Sequence, residues 1–284
     1  MQARFAYLVL AHRCPKQLHA LIEAIYDPED LILLHVDLKS LLGIKPERNG
    51  AWPMARRLAR TYPNVKLLRP RCTNWGGWSL TQILLDAINA ALQAHDRWTH
   101  FINLSGQCYP IKPIPLIRSQ LAESNGRAFV QMRPFASLPL DDWHLRWHPM
   151  IELPHKAYAL AGPRRPPADF ALEHKGSQWC ILPRAFCAWQ QQAPIGREIR
   201  RYLRRLLLSD EVIMQTLVSN GPWRDCIAPH YGREIVWPGP KVMTMADWPR
   251  LQHSQAFFAR KFDPDVDSDI VPALARAHGL GAAA

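Results

Sequence analysis

The chain has 284 residues, is 48% hydrophobic and 21% charged, and carries 35 Lys and Arg against 24 Asp and Glu, a formal charge of +11. That balance describes a globular chain able to bury a core, excludes a disordered or low-complexity polymer, and contains no run near the ~18 consecutive apolar residues of a membrane helix. The basic excess leaves nucleic acid, an anionic membrane surface or a phosphorylated small molecule as clients, and the six scattered cysteines lack the CxxC pairs of a zinc site and fit reduced thiols.

In chain order, RFAYLVLAH (4–12) is a compact apolar run ending in polar residues, and the next stretch carries Leu18, Leu21, Ile22 and Ile25 at helical spacing. A strand followed by a helix is expected. DLILLHVDLKS (30–40) predicts a second strand closing at Asp37, and NVKLLRP (64–70) a third. WSLTQILLDAINAALQA (78–94) opens with Ser79 and Gln82 in capping-box spacing and predicts a long helix. THFINLSGQ (99–107) and RAFVQMR (127–133) predict two more strands. Strands alternating with helices of this length predict an α/β chain, a mostly parallel central sheet with helices on both faces. Ligands of such sheets gather at the carboxyl ends of the strands, here His12, Asp37, Ser105 to Gln107 and Arg133. Neither GxGxxG nor a P-loop is present, which excludes the usual dinucleotide and nucleoside-triphosphate cradles.

Residues 134–170 hold seven prolines and several aromatics, the mark of a long ordered excursion. His144 and His148 within it have a spacing that suits two metal ligands, but no HExxH glutamate accompanies them; Trp143 and Trp147 suit core packing or a sugar ring. REIRRYLRRLLLS then sets Arg197, Arg200, Arg201, Arg204 and Arg205 at helical spacings, reading as a solvated face or as a patch for anionic lipid or an acidic glycan. No helix-turn-helix, zinc finger or aromatic RNA-binding motif supports nucleic acid. In SDEVIMQTLVSN, Ser209 is expected to cap a helix whose first turn holds Asp210 and Glu211 and whose buried stripe is Val212, Ile213, Leu217 and Val218.

Taken in order, AYLVLAH, LLHVDLKS, NWGGWSLTQ, FINLSGQCYPIKP, HKGSQWCILPR, LSDEVIMQTLVSN and FFARKFD resemble the core-2/I-branching glycosyltransferase family, which includes the peptide O-xylosyltransferases. The resemblance runs from about residue 4 to 265. It implies a GT-A-like fold and transfer of N-acetylglucosamine or xylose from a UDP-sugar donor to a glycan or glycolipid hydroxyl, with inversion and with neither a divalent metal nor another cofactor. By motif position it places Glu211 on the catalytic base, Lys261 on the lysine that touches the donor diphosphate, and Asp37 in the segment approaching the uridine. His12, Ser105, Gly106 and Arg260 join the expected donor side. Trp75, Trp179 and Asp210 are the expected acceptor side or site wall, Asp210 also serving the helix start.

The chemistry needs those residue types: a carboxylate to take the acceptor proton during one in-line displacement, and cations to stabilise departing UDP. Two departures qualify the resemblance. Cys108 stands where the family commonly has Asp, and a second diphosphate-binding basic residue is open between Arg233, Lys241 and Arg260. The expected organisation is one glycosyltransferase domain with a nucleotide-sugar-binding half (1–133) and an acceptor and catalytic half (134–284). A cytoplasmic location is expected, peripheral on the inner membrane face. The alternatives are a non-catalytic sugar-nucleotide-binding protein and a module that binds polyanions or membrane surfaces.

Overall fold

The computed structural model describes residues 3–42, 50–138, 148–162 and 167–280. His144, noted for its spacing from His148, and the two tryptophans Trp143 and Trp147 lie outside the described residues. The chain opens with β1 (Phe5–Ala11), α1 (Pro15–Ile25), β2 (Leu31–Val36), α2 (Leu38–Leu41), α3 (Ala51–Thr61) and β3 (Val65–Leu67). Next come α4 (Trp78–Ala94), β4 (His100–Ser105), β5 (Cys108–Pro110) and α5 (Ile114–Ala122). Five short strands follow: β6 (Arg133–Pro134), β7 (Met150–Glu152), β8 (Ala157–Ala159), β9 (His174–Lys175) and β10 (Ile181–Pro183). The chain continues through α6 (Arg184–Gln192), α7 (Pro194–Leu203), a 3-10 turn (Ser209–Glu211) and α8 (Ile213–Ser219). It closes with β11 (Arg233–Ile235), α9 (Trp248–His253), β12 (Phe258–Arg260) and α10 (Ile270–His278).

These elements form two compact units, each drawn from separated stretches. Met1–Arg71, Arg97–Asn125 and Gly232–Ala284 make the first, Cys72–Asp96 and Gly126–Tyr231 the second. The halves 1–133 and 134–284 therefore exchange segments: α4 joins the second unit, and β11 through α10 join the first.

In the first unit β4, β1, β2 and β3 lie side by side and parallel. Every residue of β2 and β4 is buried, so both faces of these strands are covered, which explains their continuous rather than alternating apolar character. α1 starts with Pro at its first turn and turns Leu18, Leu21, Ile22 and Ile25 fully inward. A second sheet sets β12 between β11, parallel to it, and β5, antiparallel. Behind it Tyr109, Ile111, Met243, Leu251, Phe262, Ile270 and Leu274 form one apolar cluster. Asp30 is buried under α5, accepting from the Phe5 amide at 2.8 Å and from Arg118 Nη2 at 2.6 Å.

In the second unit the strand expected over 127–133 does not form a ladder. Ala128 bridges Ile227, Phe129 bridges Ile181, and only Arg133–Pro134 pairs with β9, so the segment divides its hydrogen bonds among three partners. α4 spans the expected residues, but Gly77 precedes it and no side chain caps it. The Ser79 hydroxyl, expected in a capping box, instead bonds Glu152 and accepts from the Asn74 amide at 3.0 Å. Phe186, Trp189 and Trp223 make an aromatic cluster with centroids 5.3 to 6.0 Å apart. Among the described residues no helix is long and apolar enough to cross a membrane.

Candidate active site

The first unit assembles the expected donor side at the carboxyl ends of its parallel strands. Register places Ala11 beside Val36 and Leu10 beside Ser105, so the residues that follow β1 and β2 and those that end β4 are neighbours. The Asp37 amide donates to Ala11 O at 3.0 Å, the Ser40 hydroxyl to His12 O at 2.7 Å, and the Gly106 amide to Leu10 O at 2.8 Å. The Asp37 carboxylate caps α2 by accepting from the Lys39 amide at 3.0 Å. Ser105 Oγ accepts from the Gln107 amide at 3.2 Å. His12, Asp37, Ser105 and Gly106 are thus brought together within the first unit; Arg133 lies exposed on β6 of the second.

Arg260 ends β12 opposite Cys108, and Lys261 follows it. Burial, then the charges of Arg13 and Arg260, hold the Lys261 ammonium below its ordinary pKa, with Asp263 acting in the opposite sense. Three cations crowded near one carboxylate make a place that an anion would relieve. Arg13 went unread in the sequence although it adjoins His12; it is positioned by Gln107 Oε1 at 3.0 Å and lies 3.6 Å from Asp263. Of the other cations considered for the diphosphate, Arg233 is buried, donates to Asn103 O and Gly232 O, and lies over the Phe258 ring. Lys241 is paired with Asp247 at 2.6 Å. Arg260 is the one that adjoins Lys261. Cys108 is fully buried, and burial pushes its thiol up although Arg260 and Arg233 act to lower it. Its Sγ accepts from the Ser105 amide at 3.3 Å.

The second unit holds the acidic pair. Leu208 adopts a left-handed conformation, φ 57°, and Ser209–Glu211 form a 3-10 turn, so Ser209 is not the expected helix cap. Its hydroxyl is instead buried against that of Thr81, 2.8 Å away. α8 begins only at Ile213, with Val212, Ile213, Leu217 and Val218 buried as expected. The two carboxylates differ sharply. The Glu211 side chain is 26% exposed and pairs with Lys175 at 3.2 Å, whereas Asp210 is 3% exposed. The Gly176 amide donates to Glu211 O at 2.9 Å, and a Cβ at Gly176 would run into the Gln131 carbonyl, so glycine is what lets this segment lie against its neighbour. Lys175, the residue before it, was visible in HKGSQ but carried no sign of its partner.

Asp210 does not sit in the first turn of a helix as expected, since it lies in the 3-10 turn before α8. Burial, then the Glu211 charge, pushes its carboxyl up to about 7, and Oδ1 has no hydrogen-bond partner among the described residues. The folded value lies above the unfolded one, so the native state holds an extra proton between about pH 4 and 7 and loses stability as pH rises through that window. The penalty, at most about 4 kcal/mol, is complete above pH 7. In thermal melts, the Tm of Asp210→Asn minus that of wild type should grow by several degrees from about pH 5 to about pH 8. A pH-independent difference would show that Asp210 is ionised throughout.

Of the remaining expected site residues, Trp75 is 68% exposed, whereas Trp179 is 5% exposed and belongs to the core rather than to an open wall. His148 places Nδ1 3.1 Å from Leu160 O. Glu152 was not foreseen: it ties the loop before α4 by accepting from Asn74 Nδ2 at 2.9 Å and from the Ser79 amide at 3.0 Å.

With this geometry in place, the family model described as Branch: Core-2/I-Branching enzyme matches residues 5–266. The chain belongs to the Core-2/I-Branching enzyme family. Xylosyltransferase oxt of Drosophila melanogaster is 26% identical over 297 residues, which cover 95% of this chain and 33% of that protein. Xylosyltransferase 2 of Rattus norvegicus is 25% identical over 299 residues, again 95% of this chain and 33% of the relative. The chain therefore spans about a third of the length of these curated relatives. The solved apo structure of mouse xyloside xylosyltransferase 1 aligns with 90% of this chain and 97% of its own at 10% identity and a TM-score of 0.40.

Proposed function

We propose that this family member transfers a sugar, xylose or N-acetylglucosamine, from a UDP donor to a hydroxyl acceptor of a glycan, glycolipid or peptide, in one inverting displacement. The observation that carries the base assignment is the contrast within the acidic pair: Glu211 is open to solvent and held by Lys175, while Asp210 is sealed. A general base must reach the proton it removes. In this reading Glu211 takes the acceptor proton as the hydroxyl attacks the anomeric carbon, and Lys175 positions its carboxylate. Asp37, His12, Ser105 and Gly106 serve the donor side. Arg13, Arg260 and Lys261 bind the diphosphate and stabilise the charge that builds on departing UDP. Those cations take the place that a divalent metal holds elsewhere, so the reaction runs without one. The names of the xylosyltransferase relatives favour xylose as the donor sugar.

The reading is tested by transfer of labelled sugar from UDP-xylose and UDP-N-acetylglucosamine to a panel of acceptors in excess EDTA. Transfer that persists in chelator is expected; transfer abolished by EDTA and restored by manganese would overturn the metal-free reading. Absence of both transfer and thermal stabilisation with every UDP-sugar tried would overturn the whole assignment. Lys261→Glu should weaken UDP binding at least about tenfold in calorimetry, since it replaces a charge-assisted bond by a repulsion, whereas Lys66→Glu at an exposed position of β3 should leave it unchanged. Equal affinities in the two variants would remove Lys261 from the diphosphate site.

A further inference from the structure

The arginine run, whose spacing reads as a solvated face or as a patch for anionic lipid or an acidic glycan, does not lie on one open face. Arg197 is exposed on α7, but Arg200 turns inward and donates to Gln190 O at 2.6 Å and Gln190 Oε1 at 3.0 Å. Arg201 pairs with Glu198, while Arg204 and Arg205 lie beyond the helix end and have no carboxylate partner among the described residues. Four of these arginines, Arg200, Arg201, Arg204 and Arg205, line a recess of about 760 Å³ within the second unit, a volume ordinary for a ligand site. The facing wall is one stripe of α4: Trp78, Gln82, Leu85, Asp86 and Asn89. Gln82 is held in place, accepting from Trp78 Nε1 at 2.9 Å and donating to Asp86 at 2.7 Å. Four guanidinium groups thus meet two carboxylates, Asp86 and Glu198, leaving an uncompensated positive charge. Burial, then the charge of Arg197, lowers the Arg200 pKa, a strain that a bound anion would relieve.

We infer that this recess is a binding site for an acidic oligosaccharide, a segment of sugar chain carrying at least two carboxylate, sulfate or phosphate groups. Guanidinium forks match such groups in bidentate geometry. The carboxamides of Gln82, Asn89 and Gln191 offer the mixed donors and acceptors that sugar hydroxyls require, and the half-buried Trp78 indole supplies an apolar wall. Concavity and amide lining favour a saccharide over a membrane, which presents a flat surface and needs no such lining. The site is independent of the transfer reaction, because none of its residues belongs to the catalytic or donor machinery assigned above.

The test is isothermal titration of the full chain with a carboxylated probe, an oligogalacturonate, and a sulfated probe, a carrageenan oligosaccharide. Neutral maltooligosaccharide, inorganic pyrophosphate and vesicles of phosphatidylglycerol in phosphatidylcholine are the comparison arms. At least one acidic oligosaccharide should bind, with affinity falling as salt rises, and the double variant R204Q/R205Q should lose at least about tenfold while its Tm is unchanged. Asn89→Ala should weaken the oligosaccharide but not pyrophosphate. Binding of neither acidic probe, equal binding of the neutral one, pyrophosphate binding equal to the saccharide's and likewise weakened in R204Q/R205Q, binding to vesicles alone, or acidic-probe binding unchanged in R204Q/R205Q would each overturn the inference. Because binding is read without turnover, a failure here is distinct from a failure of the glycosyl-transfer reading.

Discussion

Replacing Glu211 by glutamine should lower turnover by about 10²–10⁴-fold, the ordinary cost of losing a general base, while UDP affinity is nearly kept. Glutamine preserves the size of the side chain and its place after the Leu208 turn but cannot accept the acceptor's proton. The backbone bonds that define the turn, Glu211 N to Leu208 O at 3.1 Å and Gly176 N to Glu211 O at 2.9 Å, do not use the carboxylate, so the fold should tolerate the change. Lys175→Gln separates positioning from proton transfer. It removes the ion pair and leaves the carboxylate, so turnover should fall less than in Glu211→Gln and its pH profile should shift. Wild-type turnover in Glu211→Gln, in a variant that melts normally, would remove the residue from the chemistry.

The second large effect concerns stability. Asp30 is buried with Arg118, whose guanidinium donates to both of its oxygens at 3.0 and 2.6 Å and also reaches Asp27 at 3.1 Å. Arg118→Met keeps much of the apolar length but strands a buried carboxyl, and should cost about 3–5 kcal/mol in denaturant unfolding. Removing both charges in R118M/D30N should cost less than R118M alone, because no buried charge is then left unpaired. A loss below about 1 kcal/mol for R118M would show that Asp30 relaxes toward water or is neutral in the native state.

Much of the fold was legible because its strongest signals are local. The apolar face of α1 and the full length of α4 follow from side-chain periodicity, and strands β1, β2 and β4 from continuous apolar runs. What escaped depends on partners far away in sequence. Ser79 looks like a helix cap until Glu152 claims it, and Ser209 until Thr81 does. Segment 127–133 has strand composition, but its hydrogen bonds go to three different partners. The left-handed Leu208, which makes the acidic pair a tight turn instead of a helix start, has no glycine to announce it. The same limit applied to the site. Motif position points to Glu211, Asp37 and Lys261, but neither the ion pair between Lys175 and Glu211 nor the place of Arg13 beside Lys261 is written in any one stretch. Nor does spacing show that Asp210 and Glu211, adjacent in sequence, occupy opposite environments.

A single displacement with one carboxylate base commits the reaction to inversion, and that is open to direct measurement without any knowledge of the acceptor. With an α-linked UDP-sugar as donor and water as acceptor, proton NMR of the sugar released by this protein, recorded before mutarotation, reads the configuration of the new bond. The β anomer is the expected first product, with its formation suppressed in Glu211→Gln. Release of the α anomer would contradict inversion.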